Sequence, residues 1–180
     1  MNLGKLGVWY FFDAMSSEEA AESAQRIESL GYSTLWVPET TGKNPMVLSS
    51  WLLANTKELN IATGIANIYH REPGVSLAAQ KSLCEQSNNR FILGLGVSHK
   101  PLVEGVRGLN YGPPVKTMRS YLEAMAILIS DTRSHSRSNG PFSTFEDFLS
   151  RNASIFALKS CITFILDGKV KTGHFRSQKP

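Results

Sequence analysis

The chain has 180 residues, of which 42% are hydrophobic and 19% are charged, which is the composition of an ordinary globular protein and excludes a disordered chain. The length fits one domain, or one domain with a small tail. No apolar run reaches the ~18 residues that a membrane span needs, and the first residues do not form a secretory signal peptide. The two cysteines, Cys84 and Cys161, cannot form a disulfide framework. We therefore expect a cytoplasmic protein with both thiols reduced.

The net charge of +4 is confined to the last fifty residues. Residues 1–130 carry 11 basic and 11 acidic side chains, whereas residues 131–180 carry 8 and 4. The excess is spread through a Ser-rich stretch, whereas nucleic-acid-binding faces cluster their basic residues on a folded surface. We therefore predict solvated charge and no nucleic-acid partner.

The first 130 residues alternate between short apolar runs and helical patterns. The apolar runs begin near Leu6, Ser33, Leu59 and Phe91, at spacings of 27, 26 and 32 residues. They are rich in β-branched and aromatic residues and too short for helices, which is typical of strands buried on both faces. Four helices are predicted. The first begins with a capping box at Ser16 and Glu19 and ends at Gly31, and the second begins at Asn44-Pro45. The third covers about 74–86, and the fourth begins at Pro114.

Apolar side chains predict the packed face of each helix. The predicted faces are Ala20, Ala24, Ile27 and Leu30 in the first helix, Val47, Trp51 and Leu52 in the second, Val75, Ala78, Ala79 and Leu83 in the third, and Met118, Tyr121, Leu122, Met125 and Leu128 in the fourth.

This alternation demands a parallel sheet covered by helices, because parallel strands need long crossover connections. An eight-unit barrel and an open doubly wound sheet both fit. Gly94-Leu95-Gly96 lacks the third glycine of a dinucleotide fingerprint, which weakens the open-sheet alternative.

After Ile129 the period is lost. A polar stretch at 130–141 precedes a short helical pattern at 144–154, and then a strand, a tight turn at Asp167-Gly168 and a second strand are predicted. We therefore divide the chain into a barrel-type domain at 1–130 and an atypical C-terminal segment at 131–180, whose sequence leaves open whether it folds. A closed barrel with this period would need about 230 residues.

Four phrases in the first part of the chain carry a family resemblance. They are GYSTLWVPE, LNIATGIANIYHREP, RFILGLGVSH, and Tyr111-Gly112-Pro113-Pro114 leading into MRSYLEAM. In this order they resemble the luciferase-like monooxygenase superfamily, and more narrowly its oxidoreductases that use the deazaflavin coenzyme F-420. The resemblance implies an α/β fold of TIM-barrel type, incomplete because only the first four βα units are present, with a coenzyme ring at the carboxyl ends of the strands. It leaves the coenzyme open between F-420 and FMN.

The resemblance also implies a coenzyme-binding bulge with a non-prolyl cis peptide bond at the end of the third strand. The matching residues are Gly64, Ile65, Ala66 and Asn67. A glycine there would let the backbone approach a flat ligand. The alternative is a plain strand-to-loop turn in which Asn67 bonds its own backbone.

Two residues are implied as catalytic. Glu39, at the end of the second strand, matches an acid that faces the ring's edge, although Thr40 replaces a histidine that often follows it. After the fourth strand, Val97 and Ser98 would contact the coenzyme, and His99 would offer an imidazole to its polar edge. The alternatives are a surface charge at Glu39 and a solvated side chain at His99.

Other residues admit two interpretations each. Arg71 could meet a coenzyme phosphate or form a surface ion pair. Trp9, Tyr10 and Trp36 could form walls around a planar ligand or pack in the core. Cys84 has no neighbouring Cys or His at metal-ligand spacing, so we predict no metal site.

Two functions from different classes follow. The first is an oxidoreductase or monooxygenase that uses a flavin or deazaflavin on a small organic substrate. The second is a truncated, non-catalytic half-barrel that binds flavin weakly or binds only a partner subunit, because the later strands that anchor the coenzyme phosphate in the family are absent or unrecognisable in this sequence. Open strand edges would then favour association, so a homodimer is a further expectation. No membrane partner is expected.

Overall fold

A computed structural model describes Leu3, residues 6–135 and three further segments, 154–158, 161–166 and 169–174. The chain divides into two compact units. The first comprises residues 1–66 and 75–94, and the second comprises residues 67–74 and 95–180. Each unit is described by itself below.

The first unit is built on a parallel sheet, as the βα alternation predicts. Its strands are β1 (Gly7–Trp9), β2 (Thr34–Val37), β3 (Asn60–Thr63) and β5 (Phe91–Ile92). They lie side by side in that order, and every neighbouring pair is parallel. The helices that follow the first three are α1 (Ser17–Ser29), α2 (Pro45–Ala54) and α3 (Pro73–Gln86), of which the first two residues of α3 belong to the second unit.

One layer of paired side chains forms the centre of this sheet. Leu35 pairs with Ile61, and Ile61 pairs with Phe91, in the ladder of three adjacent strands. All three side chains are at most 1% exposed. Large apolar side chains suit this position because they fill the space above a pleated sheet, and Ile61 and Phe91 are of the β-branched and aromatic types that strands favour.

Helix α1 begins and ends where the sequence predicts. The Ser16 hydroxyl accepts the Glu19 N–H at 3.1 Å, and the Glu19 carboxylate accepts the Ser16 N–H at 2.7 Å, which confirms the capping box. Gly31 has φ of +83°, the left-handed geometry that a glycine adopts after a helix. Ala20 and Ala24 are buried as predicted, whereas Leu30 is exposed.

The predicted packed face of α2 is largely wrong. Val47 and Trp51 are 71% and 44% exposed, and only Leu52 of the predicted set is buried. The buried residues of α2 are Pro45, Leu48, Ser49, Leu52 and Leu53. Because α2 is apolar on most of its surface, its sequence does not distinguish the buried face from the solvent-exposed face.

Helix α3 shows the same kind of error. Val75 is 50% exposed and Ala78 is also exposed, whereas Leu83 is buried as predicted. The buried face includes Ser76 and Gln80, polar residues that a hydrophobic pattern assigns to solvent.

The second unit begins with short elements. They are β4 (Ala66–Asn67), which starts on the last residue of the first unit, a 3₁₀ turn at Ile68–His70, β6 (Leu95–Gly96), a π-helical turn at Pro101–Val106 and α4 (Pro114–His135). The fourth apolar run therefore contains two short strands, β5 and β6, where the sequence predicted one. Helix α4 starts at Pro114 as predicted and buries Met118, Tyr121 and Met125.

The polar stretch and the C-terminal segment differ from the prediction. Helix α4 continues through residues 130–135, where we predicted a break. The segments beyond it are β7 (Ser154–Leu158), β8 (Cys161–Leu166) and β9 (Lys169–His174), three strands where two were predicted. β6 pairs with β7 in parallel, and β7-β8 and β8-β9 are antiparallel. The predicted turn at 167–168 and the predicted helix at 144–154, apart from Ser154, lie outside the described residues.

In the part of the chain that the structure describes, no helix combines the length and the apolar character that crossing a membrane requires.

The carboxylate of Glu28 stabilises the amino end of β3. One of its oxygens, Oε1, accepts the N–H groups of Lys57, Glu58 and Leu59 at 3.0, 2.7 and 2.8 Å. Partial burial pushes the pKa of Glu28 upward, but these three N–H groups and the nearby charge of Arg90 outweigh it and hold the pKa below its ordinary value.

We expect Glu28→Gln to lower the free energy of unfolding by about 1–2 kcal/mol at pH 7, because a neutral amide accepts these hydrogen bonds more weakly than a carboxylate. The folded-state pKa lies below the ordinary 4.5, so the charge-dependent stabilisation is present above pH 4.5 and is lost as the pH falls through the folded-state value. Urea unfolding at pH 7 and pH 3.5 measures this directly. The difference between wild type and Glu28→Gln should shrink in acid, whereas Glu85→Gln, on an exposed position of α3, should change little at either pH.

Candidate active site

The carboxyl ends of β1, β2 and β3 meet at one edge of the first unit. The Gly64 N–H donates to the Val37 carbonyl at 2.7 Å, and the Glu39 N–H donates to the Ile65 carbonyl at 3.1 Å. The backbone leaving β2 therefore remains bonded to the backbone leaving β3. Of the residues predicted for the site, Glu39, Gly64 and Ile65 are brought together here.

Gly64 occupies a narrow space beside two tryptophans. The Trp9 indole N–H donates to the Gly64 carbonyl at 2.7 Å. A Cβ atom at position 64 would lie 3.2 Å from Cβ of Trp36 and 3.2 Å from Cδ1 of Trp9. Glycine allows this close approach, because a Cβ atom would press on both residues and they would have to shift by a few tenths of an ångström. The Gly64–Ile65 peptide bond is cis, as the resemblance implies.

Aromatic side chains at the end of β1 are exposed. Trp9 is 41% and Phe11 is 48% exposed, and their rings meet edge to face with centroids 4.6 Å apart. The core-packing interpretation of Trp9 is therefore wrong for this unit, and its flat indole surface is accessible. Trp36, its neighbour in the ladder, is half-buried.

Tyr10 faces a different region. It is 45% exposed and lines an open cleft between β1 and α1, so it too does not pack in the core. The lining residues of this cleft are Val8, Tyr10, Met15, Glu22, Ser23, Arg26 and Ile27. None of the residues predicted for catalysis or coenzyme binding lies in it.

Thr63 connects the end of β3 to the chain beyond β5. Its hydroxyl donates to the Gly94 carbonyl and accepts the Gly94 N–H, both at 2.8 Å. The Ala66 N–H also donates to the Gly94 carbonyl, at 2.7 Å. Ala66 is fully buried, main chain included, so it supports the site without facing a ligand. Thr63 was not among the predicted site residues, and a threonine that ends a strand beside a bulge is the signal that could have found it.

In the second unit, Asn67 organises the turn that follows β4. Its side-chain oxygen accepts the Tyr69 N–H at 3.0 Å, and its amide nitrogen lies 3.0 Å from Nε2 of His70. Arg71 donates to the Asn67 carbonyl at 3.2 Å. The Asn67 side chain is 2% exposed and bonds its own backbone two residues on, as the turn alternative predicts.

Val97, Ser98 and His99 follow β6; the first two are buried and the third is exposed. The Val97 side chain is buried, and Ser98 is buried with φ of +57°. His99 is exposed, and its carbonyl accepts the N–H groups of Leu102 and Val103 at the start of the π-helical turn. Of these three side chains, only that of His99 is presented to solvent.

A pair of tyrosines in this unit was missed by the sequence analysis. The rings of Tyr69 and Tyr111 stack with centroids 5.7 Å apart. The Tyr69 hydroxyl accepts the Gly112 N–H at 3.0 Å, and the Tyr111 hydroxyl donates to the Ser98 carbonyl at 3.3 Å. Partial burial and the neighbouring Tyr69 raise the pKa of Tyr111. Tyr111 belongs to one of the phrases that carry the resemblance, which was the available signal.

Within the described residues, no group of three or more His, Cys, Asp or Glu side chains could hold a metal ion. The Cys84 thiol is buried and donates to the Phe91 carbonyl at 3.6 Å.

Residues 5–155 match the sequence profile described as Luciferase-like monooxygenase. The chain belongs to this family. One relative, a protein of Mycobacterium tuberculosis provisionally named as a coenzyme F-420-dependent oxidoreductase, is 30% identical over 124 residues, which are 68% of this chain and 35% of that protein. The 5,10-methylenetetrahydromethanopterin reductase of Archaeoglobus fulgidus is 26% identical over 69% of this chain and 37% of its own length.

Solved structures of other proteins share the fold of this chain. The coenzyme F-420-dependent tetrahydromethanopterin reductase from Methanopyrus kandleri matches 69% of this chain and 40% of its own chain, with a TM-score of 0.61 and 18% identity. The FMN-bound oxygenating constituent of 3,6-diketocamphane monooxygenase from Pseudomonas putida matches 68% of this chain and 39% of its own, with a TM-score of 0.59 and 18% identity. The fold class is therefore α/β of TIM-barrel type.

The chain spans between a third and two fifths of the length of these relatives. The family match extends to residue 155, beyond Met125, at which the quoted phrases end.

Proposed function

We propose that this family member binds a flavin-type coenzyme, F-420 or FMN, with its flat ring at the carboxyl ends of β1, β2 and β3. There it would transfer a hydride to a small organic substrate or activate oxygen for one. The convergence of Trp9, Glu39 and Gly64–Ile65 at that edge carries the proposal, because active sites of TIM-type barrels lie at the carboxyl ends of the strands.

The residues at this edge fit a planar ring with polar edges. The Trp9 indole offers an accessible flat surface, and Gly64 offers backbone without a side chain. Such sites combine apolar and aromatic walls with a few well-placed polar groups. Bound F-420 or FMN would supply the redox chemistry, and the protein would supply binding and orientation.

Glu39 would contact the polar edge of the ring. Its side chain is half-buried, while its backbone is fixed to Ile65, so the carboxylate extends from a defined point. A carboxylate here can accept an N–H from the ring or hold a proton for the reaction. Gly64 and Ile65 would contribute main chain against the face of the ring, and Ala66, which is fully buried, would hold that backbone in place through its bond to Gly94.

The second unit contributes separate proposals that rest on the family resemblance. Ser98 and His99 would offer a hydroxyl and an imidazole to the coenzyme. The Asn67 amide is buried and bonded to Tyr69 and His70, so Asn67 would shape the turn at the coenzyme site. Because the Val97 side chain is buried, Val97 would contribute only its main chain. His99→Ala tests the most exposed of the four.

Both coenzymes remain in the proposal because one relative is named as an F-420 enzyme and a solved neighbour carries FMN. A homodimer also remains a proposal, and sedimentation of the purified chain tests it.

Titration of the purified chain with each coenzyme tests the proposed function. We expect saturable binding of at least one of them, seen as a change in coenzyme absorbance and as quenching of tryptophan fluorescence. Turnover of the reduced coenzyme with a panel of small carbonyl substrates would establish the catalytic part. Binding of neither coenzyme would contradict the proposal.

Glu39→Ala should weaken coenzyme binding several-fold, because one charged hydrogen bond to the ring would be lost. The control is Glu22→Ala, which removes a carboxylate from the cleft between β1 and α1. The same titrations measure both variants. If Glu39→Ala binds like wild type, Glu39 is not part of the site.

A further inference from the structure

The loops that follow β1 and β2 are joined by one carboxylate. Asp13 lies in the loop after β1, and Thr40, Gly42 and Lys43 lie in the loop after β2. The Lys43 N–H donates to Oδ1 of Asp13 at 2.9 Å. The Thr40 hydroxyl donates to the other oxygen, Oδ2. Each oxygen of Asp13 therefore bonds a different residue of the second loop.

The second loop wraps closely around this carboxylate. A Cβ atom at position 42 would lie 2.5 Å from Cγ of Asp13, so the backbone can approach this closely only because residue 42 is glycine. The Thr40 hydroxyl and the Lys43 N–H, in that order, hold the pKa of Asp13 below its ordinary value. The carboxylate is thus ionised, and accepts both bonds, throughout the neutral range.

The clamped segment begins next to Glu39. The Glu39 N–H is bonded to the Ile65 carbonyl, and Thr40, one residue later, is bonded to Asp13. The backbone that carries Glu39 is therefore held on one side by the end of β3 and on the other by Asp13. A backbone that is already held in this way loses little further conformational entropy when a ligand binds, and this favours binding.

We propose that Asp13 is a positioning residue that fixes Glu39 for coenzyme binding by clamping the loop after β2. This proposal rests on the proposed function, in which Glu39 contacts the ring. Asp13 itself contacts Thr40 and Lys43 and acts only through them. Because Asp13 is exposed, solvent screens the clamp, and we expect effects of several-fold.

Four variants separate the contacts. Asp13→Ala removes both bonds, and Asp13→Asn keeps one acceptor oxygen and loses the charge. Thr40→Val removes the hydroxyl with little change of shape, whereas Thr40→Ser keeps a hydroxyl at this position. Hydrogen exchange at the Lys43 amide should be faster in Asp13→Ala, and coenzyme affinity should fall several-fold in Asp13→Ala and Thr40→Val. Thr40→Ser should bind like wild type.

A double-mutant cycle shows whether Asp13 acts through Glu39. If it does, Asp13→Ala should weaken binding in the wild-type background and have little further effect in the Glu39→Ala background. Equal effects in both backgrounds would overturn the positioning role. Unchanged exchange at Lys43 in Asp13→Ala would overturn the clamp itself, even in a chain that binds no coenzyme. That exchange measurement separates failure of the clamp from failure of the proposed function, which the titrations of wild type decide.

Discussion

Phe91→Ala is expected to lower the free energy of unfolding by about 3–5 kcal/mol, the largest effect on stability that we predict. Phe91 is 1% exposed and pairs with Ile61 in the central layer of the first sheet. Its backbone carbonyl also accepts the Cys84 thiol, so both its side chain and its main chain are enclosed. Removing the ring leaves a cavity that close-packed neighbours fill only partly.

The matched control is Phe11→Ala. Phe11 is 48% exposed and contacts the ring of Trp9, so its loss should cost about 1 kcal/mol or less. Urea unfolding followed by circular dichroism measures both variants. Equal losses of stability would contradict the assignment of Phe91 to the core.

Gly64→Val is expected to reduce coenzyme affinity by about tenfold or more, which corresponds to about 1.4 kcal/mol or more. A Cβ at this position already meets Trp9 and Trp36 at 3.2 Å, and two further methyl groups would displace either the indole of Trp9 or the backbone that should contact the ring. Gly64→Ala should give a smaller loss, because one methyl group requires shifts of only a few tenths of an ångström.

Gly105→Ala is the control for the glycine series, because a Cβ there has no neighbour within 4 Å. Coenzyme titration and urea unfolding should be measured together for all three variants. The proposal predicts that affinity falls in the order wild type, Gly64→Ala, Gly64→Val, and that Gly105→Ala binds like wild type. If Gly64→Val bound the coenzyme with wild-type affinity, the end of β3 would not be part of the coenzyme site.

The order of strands and helices in the first unit could be predicted because its signals are local. A capping box lies within four residues, and a buried strand is a short apolar run. The packed faces of α2 and α3 could not be predicted in the same way. Trp51 is exposed although it is apolar, and Gln80 is buried although it is polar. Tertiary packing decides such cases, and the hydrophobic pattern contains no information about it.

Part of the candidate site was also predictable. Glu39 and Gly64 each follow a predicted parallel strand, and the carboxyl ends of such strands meet at one edge. The contact between Thr40 and Asp13 was not predictable, because the two residues are 27 positions apart and no local pattern connects them. The stacking of Tyr69 on Tyr111 was likewise not predictable, although each tyrosine belongs to a phrase that carries the family resemblance. Thr40, where related enzymes often have a histidine, looked like a departure from the family; the structure shows its hydroxyl bonded to Asp13.

An NMR titration of the labelled chain locates the bound coenzyme. Adding FMN or F-420 should shift the indole N–H of Trp9 and the amides of Glu39 and Ile65 progressively. The amides of Glu58 and Leu59, at the opposite end of β3, should stay in place. Shifts centred on Glu58 and Leu59, or no shifts with either coenzyme, would contradict the account.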